Sequence, residues 1–251
     1  MPTNKQRIRF FGGYIDPLTM EETLNCVEEI IRRRIMTQHV VINVAKLVMM
    51  QKDGNLREAV NSCRLINCDG AGILWAARLL GFKIPERVAG IDLMLNLVKL
   101  AAEKKFRIFL LGATKEICLR VEHKFQQQYP GIQIVGCQDG YFKKEEELTV
   151  VEKIKDSCAE ILFVALPSPK KEIFLNKYIQ QMQVPFVMGV GGSFDVVAGK
   201  VKRAPKWMQD FGLEWFYRMI SEPGRMWKRY LTTNTVFAWM VLKALVTGKK
   251  N

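Results

Sequence analysis

Two histidines, His39 and His123, and six scattered cysteines without a C-x-x-C pair leave this 251-residue chain few means of holding zinc. No apolar run reaches the roughly 18 to 20 residues that a membrane span requires. The N-terminus, MPTNKQRIRFFGGYID, has no apolar stretch followed by small residues, so a secretory leader is not expected either. Tracts rich in Gly, Pro, Ser or Gln are missing, which excludes low complexity and disorder. There is no G-x-x-x-x-G-K-[ST], and Phe194 stands where the third glycine of G-x-G-x-x-G would be. D-x-D is missing as well, so a metal-held nucleotide diphosphate has no obvious ligand pair. Cys26, Cys63, Cys68, Cys118, Cys137 and Cys158 read as free thiols, mostly buried, in a reducing cytoplasm.

Acidic residues are scarce relative to basic ones, 25 against 38, giving a net charge of +13. An excess of that size attracts an anionic partner: nucleic acid, an acidic membrane surface or a phosphorylated substrate. Hydrophobic residues at 49% and charged residues at 25% are globular usage, ample for a buried core.

Helix-like and strand-like signals alternate. Leu24, Val27, Ile30 and Ile31 keep helical spacing over residues 20–34, before the β-branched run at 39–43. A helix over 55–63 precedes a strand at 64–68, and Asp69-Gly70 punctuates its end before helical periodicity resumes at 73–80. Residues 106–112, a helix to Tyr129, the stop Pro130-Gly131 and a strand at 132–136 make a βαβ unit. Strands at 160–166 and 185–190, with a helix over 170–182 between them, repeat the pattern. The expected fold is therefore α/β, a Rossmann-like open, mostly parallel sheet flanked by helices. Such sheets bind ligands at the carboxyl ends of their strands, here Asn43, Asp69-Gly70, Gly112, Asp139-Gly140 and Gly189 to Gly192.

Near residue 200 the composition shifts. Residues 201–251 hold ten Lys/Arg against three Asp/Glu and nine of the 25 aromatics, four of them tryptophan. We expect a core over 1–200 and a basic, aromatic, helical appendage over 201–251 whose rings and cations meet an anionic membrane surface.

Several residues carry two readings. The Gly189-Val-Gly191-Gly192-Ser-Phe-Asp195 loop is an anion cradle or a set of tight turns. Asp69 is a general base in a cleft or a helix N-cap. Asp139 ends a strand in a ligand loop or simply makes a turn, and Asp195 meets a ribose hydroxyl or caps a helix. Arg203, Arg218, Arg225, Lys228 and Arg229 clamp a diphosphate or form a solvated basic face; Pro223-Gly224 interrupts any single helix carrying them.

Taken together, Asn67-Cys-Asp69-Gly70-Ala-Gly, Glu86-Arg87-Val-Ala-Gly90-Ile-Asp92, Asp139-Gly-Tyr-Phe142, Ser168-Pro-Lys170, the Gly189–Asp195 loop, Lys202-Arg-Ala-Pro205 and Gly212-Leu-Glu-Trp215-Phe-Tyr-Arg218 resemble the WecG/TagA/CpsF family of bacterial glycosyltransferases. Ile42-Asn-Val-Ala-Lys46 and Val135-Gly-Cys-Gln-Asp139 are similar to the WecG-like branch, which transfers an N-acetylmannosaminuronic acid unit. The resemblance implies an inverting, metal-independent enzyme without cofactor. Its donor would be a UDP-sugar and its acceptor an undecaprenyl-diphosphate-linked sugar, at the cytoplasmic face of the cell membrane. By this likeness Asp69 is the general base and Asn43 and Arg87 line its pocket. Gly112, Asp139, Tyr141, Lys171, Gly189, Gly191, Gly192 and Asp195 join the substrate-binding set, and Arg218, Arg225 and Lys228 close over it from the appendage. Three positions depart from the family pattern. Lys171 stands where G-S-P-K-Q-E has glutamine, with Pro167 in place of its glycine, and Val41 stands where TagA-like members have threonine. Lys171 is accordingly expected to pair with the carboxylate of a uronic-acid sugar. A basic RNA-binding module, a nucleotide-dependent oxidoreductase and a non-catalytic pathway scaffold are the competing classes. RNP-like and KH-like motifs, the dinucleotide fingerprint and any loss of Asp69 or Arg87, which would respectively support them, are all missing. A homo-oligomer stays open, because exposed apolar helices also serve subunit contacts.

Overall fold

The computed structural model describes residues 5–221 and 223–248, with the side chains of Arg225, Met226, Lys228 and Arg229 outside the description. Six parallel strands form one sheet: β3 (Thr37–Ile42), β4 (Leu65–Cys68), β5 (Arg107–Gly112), β6 (Gln133–Gln138), β7 (Ile161–Ala165) and β8 (Phe186–Gly189). Their spatial order is β4-β3-β8-β7-β5-β6, with every neighbouring pair parallel. This is the α/β, Rossmann-like architecture expected from the alternation of signals, with all strand carboxyl ends on one edge.

Both sheet faces are covered. Ile108 and Leu110 of β5 pack with α1 (Met20–Arg32), α5 (Gly90–Lys104) and α6 (Lys115–Gln128), while Phe109 and Leu111 pack with α7 (Glu147–Asp156) and α8 (Lys170–Met182). On that second face, towards β3 and β4, lie α2 (Val44–Lys52), α3 (Gly54–Asn61), α4 (Ala71–Leu79) and the long C-terminal α12 (Pro223–Thr247). Between α8 and α12 come α9 (Ser193–Val197), α10 (Lys206–Asp210) and α11 (Glu214–Ser221). Strands buried on both faces read as continuous apolar runs, which is why β5, β7 and β8 stand out in the sequence.

Other elements gave no such signal. A short antiparallel hairpin, β1 (Ile8–Phe10) with β2 (Gly13–Ile15), turns through Phe11 at φ +47° and Gly12 at φ +74°. Two positive φ values match a primed hairpin turn, but a phenylalanine hides what Asn-Gly would have announced. The hairpin is fastened to the edge strand. Asp16 N donates to Ile66 O at 2.7 Å, Ile66 N donates back to Asp16 Oδ2 at 2.7 Å, and Arg7 clasps the same carboxylate. The edge of the sheet is thereby covered.

One cysteine expectation is corrected. Cys118 on α6 and Cys137 on β6 are joined as a disulfide with Cα atoms 6.3 Å apart, because α6 packs back onto the strand that follows it. Cys26, Cys63 and Cys68 are buried thiols as read, and Cys158 is exposed.

His39 is buried in β3. Its Nε2 lies 2.9 Å from Asn67 Oδ1, while Asn67 Nδ2 donates to Thr23 Oγ1 at 3.0 Å. Asn67 Oδ1 therefore accepts, Nε2 carries the proton, and Nδ1 has no partner. Burial holds the imidazole down to about 4 from its ordinary 6.5, Lys46 adding to the effect and Asn67 opposing it. The unfolded chain binds the extra proton between those values, so stability is lost as pH falls from 6.5 towards 4, by on the order of 3 kcal/mol. Urea unfolding across that window should show the slope in the wild type and a shallower one in His39→Gln; equal slopes would contradict this.

Candidate functional site

Asp69 extends the β3–β4 ladder by one residue, its N–H donating to Ile42 O at 2.8 Å. Gly70, at φ +104°, then turns the chain into α4, a conformation that disfavours any residue with a Cβ. The capping alternative for Asp69 is not what is found. Gly70 occupies the N-cap position of α4 without a side-chain cap, and the Asp69 carboxylate reaches instead to Gly90 N, at 3.4 Å, in the first turn of α5.

That carboxylate is partly withdrawn from water, and burial pushes its pKa above the ordinary range. Arg87, the Gly90 N–H and Arg218 pull it back, while Glu214 reinforces the rise. A carboxylate poised in this way can take a proton from a hydroxyl.

Asn43 stands shoulder to shoulder with Gly70 and caps α2, its Oδ1 accepting from Lys46 N at 2.9 Å. Its side-chain nitrogen takes no part in that cap. Arg87 Nη1 donates to Glu214 Oε2 at 2.9 Å and Nη2 to Gln209 O at 3.4 Å. Arg203, considered from sequence for a diphosphate clamp, has its guanidinium committed elsewhere: bidentate to Asp92 at 2.6 and 2.8 Å, and to Glu214 at 3.1 Å. Arg218 lies one turn beyond Glu214 on α11. Arg225 and Lys228 belong to α12, but their side chains fall outside the described residues.

Beside this group, at the ends of β7 and β8, sits a buried cluster of mixed charge. Glu172, 1% exposed, meets Lys46 Nζ at 2.8 Å and Lys171 Nζ at 3.3 Å through Oε1, and accepts from Ser168 Oγ at 2.8 Å through Oε2. Burial alone would raise its pKa, yet the two lysines hold it down to about 2. The Lys171 stem fills the space over Gly189, where an added Cβ would lie 2.3 Å from Lys171 Cε. Thus the carboxylate that Lys171 meets in this structure is the protein's own.

Gly191 and Gly192 present an open face, with nothing within 4 Å of a Cβ built on Gly191 and only Asp195 Oδ2, at 4.0 Å, near one on Gly192. Asp195 Oδ1 is 3.8 Å from Lys200 Nζ. Asn43, Asp69, Arg87, Lys171, the glycine loop, Asp195 and Arg218 are thus grouped around the ends of β4, β3 and β8. Gly112, Asp139 and Tyr141 are not among them. They cluster beyond β7, with β3 and β5 three strand spacings apart, about 14 Å. There Asp139 makes the turn, Oδ1 accepting from Tyr141 N at 3.0 Å, and Tyr141 is 79% exposed.

Sequence reasoning missed Lys46, Glu172, Asp92 and Glu214 as partners. Glu214 and Asp92 lie inside motifs singled out from the sequence, but separations of 127 residues (Arg87–Glu214) and 111 (Arg203–Asp92) carry no pairing signal.

The model of the glycosyl transferase WecG/TagA/CpsF family matches residues 8–251. An N-acetylglucosaminyldiphosphoundecaprenol N-acetyl-beta-D-mannosaminyltransferase of Bacillus spizizenii is 40% identical over 176 residues, 70% of this chain and 67% of that protein. The protein of the same name from Bacillus subtilis is 40% identical over 192 residues, 76% of this chain and 73% of its own.

Gly212 shows how closely the C-terminal segment approaches Asp69. At φ +72°, it rests on the first residue of α4, where an added Cβ would lie 2.4 Å from Ala71 Cβ. Gly212→Ala is expected to destabilise by more than Gly191→Ala, whose positive φ alone costs about 1 to 2 kcal/mol. Parallel urea titrations of the two variants check the order.

Proposed function

The chain belongs to the WecG/TagA/CpsF family of glycosyl transferases, and from that premise we propose that it moves an N-acetylmannosamine-type sugar from a UDP donor to an undecaprenyl-diphosphate-linked sugar. The observation carrying this reading is Asp69 itself, a partly desolvated carboxylate with a raised pKa at the sheet's carboxyl edge, flanked by Arg87 and Arg218. The acceptor hydroxyl gives its proton to Asp69 as its oxygen attacks the anomeric carbon. The bond from that carbon to the diphosphate breaks, and UDP leaves with the electron pair on the face opposite the attack, so configuration inverts. The chain's own cations, Arg218 foremost, offset the charge growing on the leaving diphosphate, and a divalent metal is not needed. The open Gly191-Gly192 backbone receives the nucleotide diphosphate. The names of the two Bacillus proteins favour N-acetylmannosamine over its uronic acid, as does Lys171's pairing with Glu172.

The acceptor's lipid places the reaction at a membrane surface, on the cytoplasmic side where UDP-sugars are made. No helix among the described residues is long and apolar enough to cross a membrane. α12 instead has two apolar faces. Phe237, Val241 and Ala244 are buried against the core, whereas Trp239, Leu242 and Leu245 stay exposed beside Lys243. Rings and cations of this kind suit the headgroup layer of an anionic bilayer.

Transfer from UDP-N-acetylmannosamine to a short-chain N-acetylglucosaminyl-diphosphate lipid, with EDTA present, is expected to fall by about 10²- to 10⁴-fold in Asp69→Asn. Full activity in that variant would remove Asp69 as the base, and failure of the wild type to bind UDP would remove the donor class. Trp239→Gln with Leu242→Gln should weaken sedimentation with phosphatidylglycerol vesicles without lowering the unfolding midpoint, because the buried face of α12 is untouched.

A further inference from the structure

Glu214 is shared by two arginines from different parts of the chain. Oε2 accepts from Arg87, in the loop between α4 and α5, and Oε1 accepts from Arg203, just before α10. Arg203 is in turn held by both oxygens of Asp92 in the first turn of α5. The result is an alternating row, Asp92, Arg203, Glu214, Arg87, that ends beside Asp69. Side-chain exposures of 16 to 35% along it mean that these pairs are shielded from bulk water more than surface ion pairs are. Two further contacts press the same segment onto the site, Arg87 Nη2 to Gln209 O and Gly212 against Ala71.

Arginine has a long, rotamer-rich side chain, and its orientation costs entropy unless a partner fixes it. Arg87 has no carboxylate partner on its own loop; the one it uses is supplied from α11. We propose that Glu214 is a positioning residue for the transfer reaction. It fixes Arg87 beside Asp69 and makes the base and its arginine complete only when α10 and α11 are docked, with Arg203 and Asp92 as the strut that holds Glu214 in place. The proposal rests on the reading of Asp69 as the base.

The pairing of Glu214 with Arg87 supplies a signature that a merely structural clip lacks. Asp69 is faced by Arg87 from the loop, by the Gly90 N–H of α5, and by Glu214 and Arg218 of α11. Glu214 is the anion in that set and raises the ionisation point of Asp69, whereas Arg87 lowers it. Removing Arg87 must therefore move the Asp69 titration to higher pH, whereas removing Glu214 takes away an anion and also frees Arg87, two effects of opposite sign on that titration. If Glu214 acts through Arg87, its removal lowers kcat little further once Arg87 is gone, whereas a merely structural clip would add its own loss.

The test uses the full chain with Glu214→Gln, Arg87→Gln, the two combined, Arg203→Gln and Arg203→Lys. Asp69 is titrated by carboxyl ¹³C NMR, and transfer from UDP-N-acetylmannosamine to the short-chain acceptor is followed with pH. In Glu214→Gln the expected result is a fall in kcat of about ten- to a hundredfold with donor KM little changed, and little further fall when it is added to Arg87→Gln. Arg87→Gln should move the Asp69 titration up. Arg203→Gln should lower kcat less than Glu214→Gln does, and Arg203→Lys should recover part of the loss. An unaltered kcat in Glu214→Gln would overturn the proposal, as would a further fall of about ten- to a hundredfold on adding Glu214→Gln to Arg87→Gln. If Asp69→Asn kept the wild-type rate, the reading of the base would fall, whereas its collapse beside an unaffected Glu214→Gln would overturn this inference alone. Should Glu214→Gln unfold, the Arg203→Lys and Arg203→Gln pair decides by the same readouts.

Discussion

A carboxylate kept partly out of water beside an arginine is the constraint around which this structure is arranged. Burial pushes the Asp69 pKa up, while Arg87 nearby favours its ionised state. The balance depends on distances set by three separate parts of the chain. The β3–β4 ladder fixes the Asp69 backbone, the first turn of α5 offers one N–H, and α11 brings an anion and a cation. A parallel sheet suits the task because its crossovers return every strand end to the same edge, so residues far apart in sequence arrive side by side without a long loop.

The same edge carries a second electrostatic device with a different balance. Lys46 and Lys171 both meet the buried carboxylate of Glu172, and the Lys171 stem lies over Gly189 at the start of the glycine loop. The Asp92, Arg203, Glu214, Arg87 row, by contrast, alternates in sign and joins the C-terminal segment to the Asp69 loop.

Much of this was legible in the residues. Strands buried on both faces announce themselves as continuous apolar runs, and Asp69-Gly70 at the end of one of them marked the site. Legibility ended where meaning depends on partners. Arg203 looks like any other basic residue until Asp92 and Glu214 take up its guanidinium. Lys171 suggested a ligand carboxylate, and the next residue in the chain, Glu172, is the one it meets. Gly112 and Gly189 read as ligand glycines, but a Cβ at Gly112 would lie 2.6 Å from Ala165 O and one at Gly189 would strike the Lys171 stem, so both make room for the protein itself. The Cys118–Cys137 pair likewise follows from α6 folding back on β6, a long-range consequence that residue spacing does not encode.

Under the proposed function the C-terminal segment would have to reconcile two opposed demands. A lipid-anchored acceptor would call for apolar surface exposed near the site, while a base at Asp69 would call for water to be kept from it. α12 separates these by face, burying Phe237 against Phe11 and leaving Trp239 and Leu242 outward. α10 and α11 then carry the link inward, with Trp207 and Phe211 exposed on one side of the turn and Gly212 pressed on Ala71 at the other. Contact with a membrane would thereby bear on the same short segment that supplies Glu214. Glu214 is the residue through which that segment reaches Arg87, and with it the surroundings of Asp69.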